Sequence, residues 1–205
     1  MKYQLTAILI TLIYCTHAQS NSVGGITIDP NIKMEAEKHF NGNEFEQVNR
    51  RNQVQIFQNS VEWDLYENDS LLFSTNHKPK TIISKSLYLW KGDTLFIDGG
   101  VGLAVGVGFS IQIVQGQAKI YHMLSSDDAP DYAYEPTSTV LFRINVPCHK
   151  QRAIVSEVPI KGSGKIIYGY VEFESEEFYE IKGSGPRVKA RSNMKMYFKS
   201  GEFKF

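Results

Sequence analysis

The sequence has few cysteines, no excess of charge and no long apolar run. Its 205 residues include two cysteines, and 22 basic side chains balance 22 acidic ones. This balance argues against bulk binding to nucleic acid, because such binding requires a basic excess that neutralises phosphates. No apolar run approaches the roughly 20 residues that a membrane-spanning helix needs. These absences favour a globular domain that is stabilised by its own hydrophobic core.

The first eighteen residues have the pattern of a secretory signal peptide. Lys2 provides a basic start, residues 5–14 form a short apolar stretch, and Thr16 and Ala18 are the small residues that precede a cleavage site. Cleavage after residue 18 leaves a single β domain over residues 19–205. The sequence therefore predicts export to the periplasm or the extracellular space.

The two cysteines have separate interpretations. Cys15 could receive a lipid anchor, but Tyr14 is bulkier than the small residue that such sites place before the cysteine. After cleavage only Cys148 remains, so the sequence predicts no disulfide within the mature chain. Cys148 itself is either a buried, inert thiol or a free reactive one.

Motifs of several common enzyme classes are missing or incomplete. The sequence has no G-x-S-x-G elbow of a serine hydrolase. The run GSGK at residues 162–165 resembles part of a phosphate-binding loop. However, Pro159 stands where the first glycine of that loop belongs, and a strand pattern follows instead of a helix. The four histidines after residue 18 show no metal-ligand spacing. The sequence thus predicts neither a nucleotide site nor a histidine-based metal site.

The clearest pattern is the run from Gly99 to Gln115, in which apolar residues alternate with glycine, alanine and serine. Alternation with a period of two predicts one extended strand. The apolar face begins at Val101, whereas the opposite face is almost bare backbone as far as Ser110. Because glycine weakens a strand, a bare face predicts that another group approaches it closely. That group is either a large aromatic side chain or a ligand in a cavity.

The rest of the chain favours strands. One short N-terminal helix is predicted, with Asp29 as its N-cap and Ile32, Ala36 and Phe40 on one face. Residues 44–50 could form a second helical turn. Alternating segments then predict about ten strands, over residues 61–65, 71–75, 81–90, 94–97, 99–115, 118–124, 139–146, 158–160, 165–173, 177–181 and 187–198. The predicted fold class is all-β, an antiparallel β-sandwich or a flattened β-barrel.

A polar loop over residues 125–135 is the first candidate binding site. Its carboxylates could supply oxygen ligands to calcium, and they are Asp127, Asp128, Asp131 and Glu135. Tyr132 and Tyr134 could stack on a sugar ring or contact a protein partner. The spacing of the carboxylates matches no established calcium motif, so the alternative is a solvated acidic loop.

The strand predicted over residues 187–198 is the second candidate binding site. Its small and apolar residues alternate with basic ones that begin with Arg187, Lys189 and Arg191. A row of cations on one face could bind an anionic glycan, a lipid head group or an acidic protein. The alternative is an ordinary solvent-exposed face, on which lysines discourage edge-to-edge pairing of strands.

The sequence leaves three functional hypotheses open. The first is an exported cell-envelope or secreted β domain with a non-catalytic binding or structural role, whose partner is a glycan, a lipid or a protein. The second is a small outer-membrane β-barrel, which the apolar-small alternation and the aromatic Phe205 suggest. Charges on both faces of several other strands oppose that hypothesis. The third is a hydrolase that uses paired carboxylates, such as Asp127 with Asp131 or Glu135.

Overall fold

The computed structural model describes residues 21–23, 25–40, 45–49, 53–58, 61–75, 84–101 and 105–203. The predicted signal peptide, Cys15 and Phe205 lie outside these residues. The elements within them are, in chain order, β1 (Asn21–Val23), β2 (Ile26–Ile28), α1 (Ile32–His39), β3 (Phe45–Asn49), β4 (Gln53–Gln58), β5 (Val61–Glu67), β6 (Ser70–Ser74), β7 (Ser84–Lys91), β8 (Thr94–Val101), β9 (Val105–Val114), β10 (Gln117–Ser126), β11 (Tyr132–Ala133), β12 (Arg143–Val155), β13 (Ile167–Ser175), β14 (Phe178–Ile181) and β15 (Arg187–Glu202). Across the described ranges, no helix has both the length and the apolar character that crossing a membrane requires.

Seven of these strands form a closed ring in the order β7, β8, β9, β10, β12, β13 and β15. The ring closes where the end of β15 pairs in parallel with β7, through Gly201 with Leu87 and Glu202 with Tyr88. The backbone N–H of Phe203 then donates to the Tyr88 carbonyl oxygen at 2.7 Å. The other neighbours around the ring are antiparallel. The predicted all-β class, a sandwich or flattened barrel with one short helix, is confirmed.

The flattened ring consists of two sheets, and two long strands, β12 and β15, pair with strands of both. The glycine sheet consists of β3, β4, β7, β8, β9, β10 and the first part of β12, over residues 143–147. The long-strand sheet contains β5, β6, β13, β14, β15 and the rest of β12, with β1, β2 and β11 at its margins. Strands β12 and β15 thus carry the chain from one sheet to the other.

The core lies between the inner faces of the two sheets. Phe109 of the glycine sheet packs against Phe198 of the long-strand sheet, with ring centroids 5.2 Å apart. Both side chains are fully buried, and burial of a phenylalanine stabilises a fold by about 1.5–3 kcal/mol. Each ring lies over a glycine, because a Cβ at Gly99 would be 2.6 Å from the Phe109 ring and one at Gly169 would be 2.2 Å from the Phe198 ring. Gly99 lies on the inner, apolar face of the sheet, so this contact is separate from the close approach predicted for the bare face.

The run from Gly99 to Gln115 is not one strand, as its alternation predicted, but two antiparallel strands. Strand β8 ends at Val101 and β9 begins at Val105, while residues 102–104 lie outside the described ranges. Val101 pairs with Val107, so residues of the same parity face the same side on both strands. The alternation keeps the same phase in β8 and β9, so a period of two contained no sign that one strand ends at Val101 and another begins at Val105.

Other local predictions met mixed outcomes. Helix α1 buries Ile32, Ala36 and Phe40 on one face, as predicted. Its N-cap is Asn31 rather than Asp29, whose Oδ1 atom instead accepts the Asn31 backbone N–H at 2.9 Å. Within the predicted helical turn over residues 44–50, residues 45–49 form strand β3. The predicted strand over residues 158–160 is irregular, because it follows the end of β12 and leads into a glycine turn.

Candidate functional site

A cavity of about 400 Å³ lies on the outer face of the glycine sheet. Its floor is the bare face of β8 and β9, formed by Gly100, Gly106 and Gly108. Its apolar walls include Leu87 of β7, Met123 of β10 and Phe203, the residue that follows β15. The predicted bare strand face therefore lines a cavity, although two strands rather than one provide it.

The floor is bare because the two backbones approach each other closely. Gly100 lies opposite Gly108 in the β8–β9 pairing. A Cβ at Gly108 would be 2.0 Å from the Gly99 carbonyl oxygen, and one at Gly100 would be 2.5 Å from the Val107 carbonyl oxygen. No side chain fits at such distances, so the fold itself requires glycine at both positions. The open space above them is a consequence of that requirement.

Cross-strand register places side chains on both sides of the bare floor. Lys85 pairs with Gly100, and Met123 pairs with Gly108. Neighbours across a sheet project from the same face, so Lys85 and Met123 stand on opposite sides of the two glycines. In the next row, Leu87 pairs with Asp98. The apolar side chain of Leu87 and the carboxyl group of Asp98 are therefore neighbours on the cavity face.

Asp98 is the most strongly perturbed polar group in this cavity. Burial raises the pKa of its carboxyl group, against the opposing effects of a hydrogen bond from Ser110 and the positive charges of Lys91 and Arg143. Its Oδ1 atom is buried and has no hydrogen-bond partner among the described residues. A buried polar atom without a partner costs free energy unless water or a ligand satisfies it.

Both basic and acidic side chains line the cavity, and only some of them have a fixed partner. Lys85 and Arg143 line it and are exposed, and neither makes an ion pair with a residue in the described ranges. Glu202 also lines the cavity, but its carboxylate accepts the backbone N–H groups of Gly162 and Gly164, each at 2.7 Å. The GSGK run at residues 162–165, which resembles part of a phosphate-binding loop, thus binds the Glu202 carboxylate through its backbone amides.

The carboxylates of the acidic loop over residues 125–135 do not lie together. Asp127 is exposed and lines the cavity, and Asp128 is exposed beside it. The Asp131 carbonyl oxygen accepts the Ile181 backbone N–H at 2.8 Å, and its charge acts on Glu180. Within the described parts of the chain, no three His, Cys, Asp or Glu side chains cluster as a metal site would require. The structure therefore adds no support to the calcium hypothesis.

The two tyrosines of this loop, Tyr132 and Tyr134, differ in their exposure to solvent. Tyr132 is 5 % exposed and belongs to the core, and burial raises the pKa of its hydroxyl group to about 12. The Tyr132 ring is covered by protein, so it offers no surface for a ligand or partner in this structure. Tyr134 is 44 % exposed, and its hydroxyl oxygen accepts the Asn145 backbone N–H at 3.1 Å. Tyr134 remains accessible, and Asn145 belongs to the glycine sheet.

The predicted cationic row of β15 is engaged within the protein. Arg187 donates through Nη1 to the carbonyl oxygens of Glu135 at 3.0 Å and Ser138 at 2.7 Å. Lys189 forms an ion pair of 2.8 Å with Glu177. Arg191 lies over the Tyr66 ring at 4.1 Å, and it also approaches Asp69 at 3.8 Å. All three cations therefore contact groups of the protein itself, and Lys189 and Arg191 also lie within ion-pair distance of carboxylates. Further along the row, Lys199 is buried, contrary to the predicted exposed face.

A second cavity of about 400 Å³ lies on the outer face of the long-strand sheet. Most of its charges are paired: Lys150 with Glu174 at 2.9 Å, and Lys195 with Glu172 at 3.4 Å. Asp64 also lines it, and its Oδ1 atom is buried without a partner among the described residues. This cavity has polar walls, with four carboxylates and two lysines in its lining, so it resembles a solvated groove more than a ligand pocket.

Two further side chains that could be reactive are His122, which is buried, and Cys148, which is half-buried. His122 is completely buried, and its Nδ1 atom lies 2.9 Å from the Gly108 carbonyl oxygen, directly beneath the cavity floor. Burial lowers the pKa of the imidazole to about 4. Burial also raises the pKa of the Cys148 thiol to about 12. Cys148 is therefore a thiol at neutral pH, which agrees with the inert alternative rather than the reactive one.

The sequence did not identify the residues that define the main cavity, apart from its glycines and Asp127. Asp98, Lys85 and Arg143 lie on three different strands, and only the register brings them to one cavity. No protein-family model, curated protein or solved structure matches this chain. The function proposed below therefore stands on geometry and chemistry.

Proposed function

We propose that this chain is an exported cell-envelope or secreted β domain that binds a small ligand in the cavity of the glycine sheet, without catalysing its conversion. The N-terminal sequence pattern supports export, although the corresponding residues lie outside the described ranges. The cavity supports binding. Paired carboxylates, which a hydrolase would require, receive no support, because Asp127 lies at the cavity while Asp131 and Glu135 lie beside Glu180 and Arg187.

One observation carries this proposal: an accessible cavity with apolar walls contains a buried, unpartnered carboxylate oxygen. Small-molecule pockets typically have volumes of about 300–1,000 Å³ and combine apolar walls with a few convergent polar groups. The cavity, at about 400 Å³, falls in that range. Leu87, Met123 and Phe203 supply its apolar surface, and Asp98 supplies the polar group.

Binding can be tested with a fluorescent neutral probe, 2-naphthol, titrated with the purified protein. Ser125 lines the cavity, so Ser125→Trp should fill it and weaken binding at least tenfold. Ser125→Ala is the matched control, since it removes only a hydroxyl group, and it should bind as the wild type does. The proposal would be overturned if Ser125→Trp bound 2-naphthol normally, or if no naphthalene derivative bound at all.

Export can be tested by fractionating cells and washing the membranes with alkaline carbonate. The protein should carry no tag at the C-terminal end, because Gly201 and Glu202 close the ring. Recovery in the soluble exported fraction is the expected result. Retention in washed outer membranes would overturn it and favour the outer-membrane barrel or a lipid anchor on Cys15, both of which remain predictions.

A further inference from the structure

We infer that the ligand of the main cavity is a neutral, flat ring system that carries a hydroxyl group, and that this hydroxyl group binds Asp98. This inference rests on the proposed function and specifies the chemistry of its ligand. Three features of the cavity support it: charges of both signs in its lining, the Oδ1 atom of Asp98, which lacks a partner among the described residues, and a floor without side chains.

The lining of the cavity contains charged groups of both signs. Its basic side chains are Lys85 and Arg143, and its acidic ones are Asp98, Asp127 and Glu202. Burial raises the pKa of the Asp98 carboxyl group, which favours its neutral form and brings the charges of the lining closer to balance. An ion of either sign would therefore lose hydration without meeting a clear excess of opposite charge. A neutral ligand avoids that cost.

Asp98 provides the polar contact that the ligand must satisfy. Its Oδ1 atom is buried and has no hydrogen-bond partner within the described ranges, although the residue contributes to the lining. An ionised carboxylate only accepts hydrogen bonds, whereas a protonated one also donates. A hydroxyl group can donate to the first and accept from the second, so it suits Asp98 in either state.

The register places Asp98 beside the glycine floor rather than at its centre. Asp98 lies two residues before Gly100 on β8, so the two residues face the same side of the sheet. Their Cα atoms are about 6.6 Å apart at the usual rise of a strand. A hydroxyl group at the edge of a ring can therefore reach Asp98 while the ring itself lies over Gly100 and Gly108.

The floor favours a flat ring. Gly100 and Gly108 lie opposite each other, and the residues on either side of this pair are Lys85 and Met123. These four residues belong to four adjacent strands, so the Cα atoms of Lys85 and Met123 are about 14 Å apart at the usual spacing of strands. A flat ring can contact the bare backbone between them over its whole area. A puckered ring makes fewer close contacts, and dispersion attraction depends on their number.

The walls limit the number of polar groups that the ligand can carry. Leu87, Met123 and Phe203 offer an apolar lining, and a densely hydroxylated sugar would leave many of its own groups unpaired against it. A volume of about 400 Å³ accommodates one or two fused rings but not an extended polymer. A phenol or a naphthol with a single hydroxyl group meets these requirements.

The contact with Asp98 can be tested with 2-naphthol and 2-methylnaphthalene, which differ in a hydroxyl group against a methyl group of similar size. Fluorescence titration gives both Kd values, and the Kd of 2-methylnaphthalene divided by that of 2-naphthol measures the preference for the hydroxyl group. Asp98→Leu should reduce this ratio at least about tenfold, which corresponds to the loss of one buried hydrogen bond. Asp98→Asn should retain most of the ratio, because its amide group still accepts and donates hydrogen bonds.

Asp93→Leu is the matched control for Asp98→Leu. Asp93 is exposed and lies in the turn between the same two strands, β7 and β8, but it is not a residue of the cavity lining. Its replacement removes a carboxylate from the same part of the sheet without changing the cavity. The ratio of the two Kd values should therefore equal that of the wild type.

The neutral charge and the flat shape can be tested with three relatives of 2-naphthol. Among them, 6-hydroxy-2-naphthoate adds a negative charge and 6-(aminomethyl)-2-naphthol adds a positive one. The third, decahydro-2-naphthol, keeps the carbon skeleton and the hydroxyl group but is not flat. Calorimetric titration should give each of them a Kd at least about tenfold higher than that of 2-naphthol.

The outcomes distinguish this inference from the proposed function. An unchanged ratio in Asp98→Leu, or an equal reduction in Asp93→Leu, would overturn the contact between the hydroxyl group and Asp98. An equal or lower Kd for either charged naphthol would overturn the neutral ligand, and the same result for decahydro-2-naphthol would overturn the flat one. In these cases weaker binding to Ser125→Trp would still support the cavity. Failure of every compound to bind would overturn the proposed function and the inference together.

Discussion

The outer faces of the two sheets differ in the residues that lie opposite their lysines. On the long-strand sheet, register places Lys195 between Glu172 and Glu62 on neighbouring strands. On the glycine sheet, the cross-strand neighbour of Lys85 is Gly100, which offers no carboxylate and no side chain. The first arrangement gives the lysine a carboxylate on each neighbouring strand, whereas the second leaves the lysine beside a bare backbone. Alternation in the sequence is similar on both sheets, and the identity of cross-strand neighbours produces the difference.

The two sheets also differ in the ionisable group that each of them buries. The glycine sheet buries His122, whose pKa is lowered to about 4 by the loss of hydration. The long-strand sheet half-buries Glu180, whose pKa is raised to about 7 by the same cause, with a further contribution from the negative charge of Glu67. Both groups are thereby shifted toward their neutral forms. Their effects on stability have opposite dependence on pH.

The largest predicted effect tests whether the bare floor is required by the fold. Gly108→Val should lower the free energy of unfolding by more than about 3 kcal/mol, because its side chain would overlap the backbone of β8. Denaturant unfolding measures the change. Gly106→Ala is the control on the same strand, since the nearest atom to its Cβ is the Ser125 hydroxyl oxygen, which can rotate away. A Gly108→Val protein as stable as wild type would show that the close approach is wrong.

The second prediction concerns the opposite pH dependence of His122 and Glu180. The unfolded chain protonates its histidine near pH 6.5, but the folded protein does so only near pH 4. The stability contributed by neutral His122 is therefore present above pH 6.5 and lost as the pH falls toward 4. For Glu180 the folded protein takes up the proton first, near pH 7 rather than 4.5. Its contribution therefore rises as the pH falls through that window.

Between pH 7 and pH 5 these two contributions are each about 2 kcal/mol and of opposite sign, so they should nearly cancel. Glu180→Gln should therefore lose about 2 kcal/mol of stability relative to wild type over this interval, as His122 acts unopposed. His122→Gln should gain stability over the same interval. Urea unfolding at pH 5, 6 and 7 provides the slopes. Parallel slopes in all three proteins would contradict the assigned burial.

The smallest predicted effect concerns the paired and unpaired surface charges themselves. Lys195→Ala should lower the free energy of unfolding by about 0.5 kcal/mol, which is typical of an exposed ion pair, and high salt should reduce the loss. Lys85→Ala should leave stability unchanged, because Lys85 has no ion-pair partner among the described residues. A double-mutant cycle with Glu172→Ala isolates the first pair. Equal losses for both lysines would remove the contrast between the two faces.

The fold class could be predicted from the sequence because alternation is a local property. The buried residues of β15, such as Met194, Met196 and Phe198, follow directly from period two. The hairpin of β8 and β9 could not be predicted in the same way, since its two strands keep the same phase. The transition of β12 from one sheet to the other was equally invisible, because a strand can change partners without changing its pattern.

The candidate site was less accessible to sequence analysis than the fold was. The glycines at 100, 106 and 108 indicated a bare surface, and that part was found. Asp98 gave no signal, because its burial depends on neighbours that the sequence does not reveal. Arg187 and Arg191 belong to the predicted cationic row, but the sequence pattern gave no sign of the carbonyl groups and the aromatic ring that they contact.

The parallel contact between β15 and β7 has a consequence for when the ring can be completed. Among the described residues it consists of two residue pairs, which join Gly201 and Glu202 to Leu87 and Tyr88 across more than a hundred residues of chain. Loop closure over such a distance is slow and must precede the contacts that reward it. The ring therefore stays open until residues 201–203 pair with β7. Closure of the ring is therefore expected to be a late step in the folding of this chain.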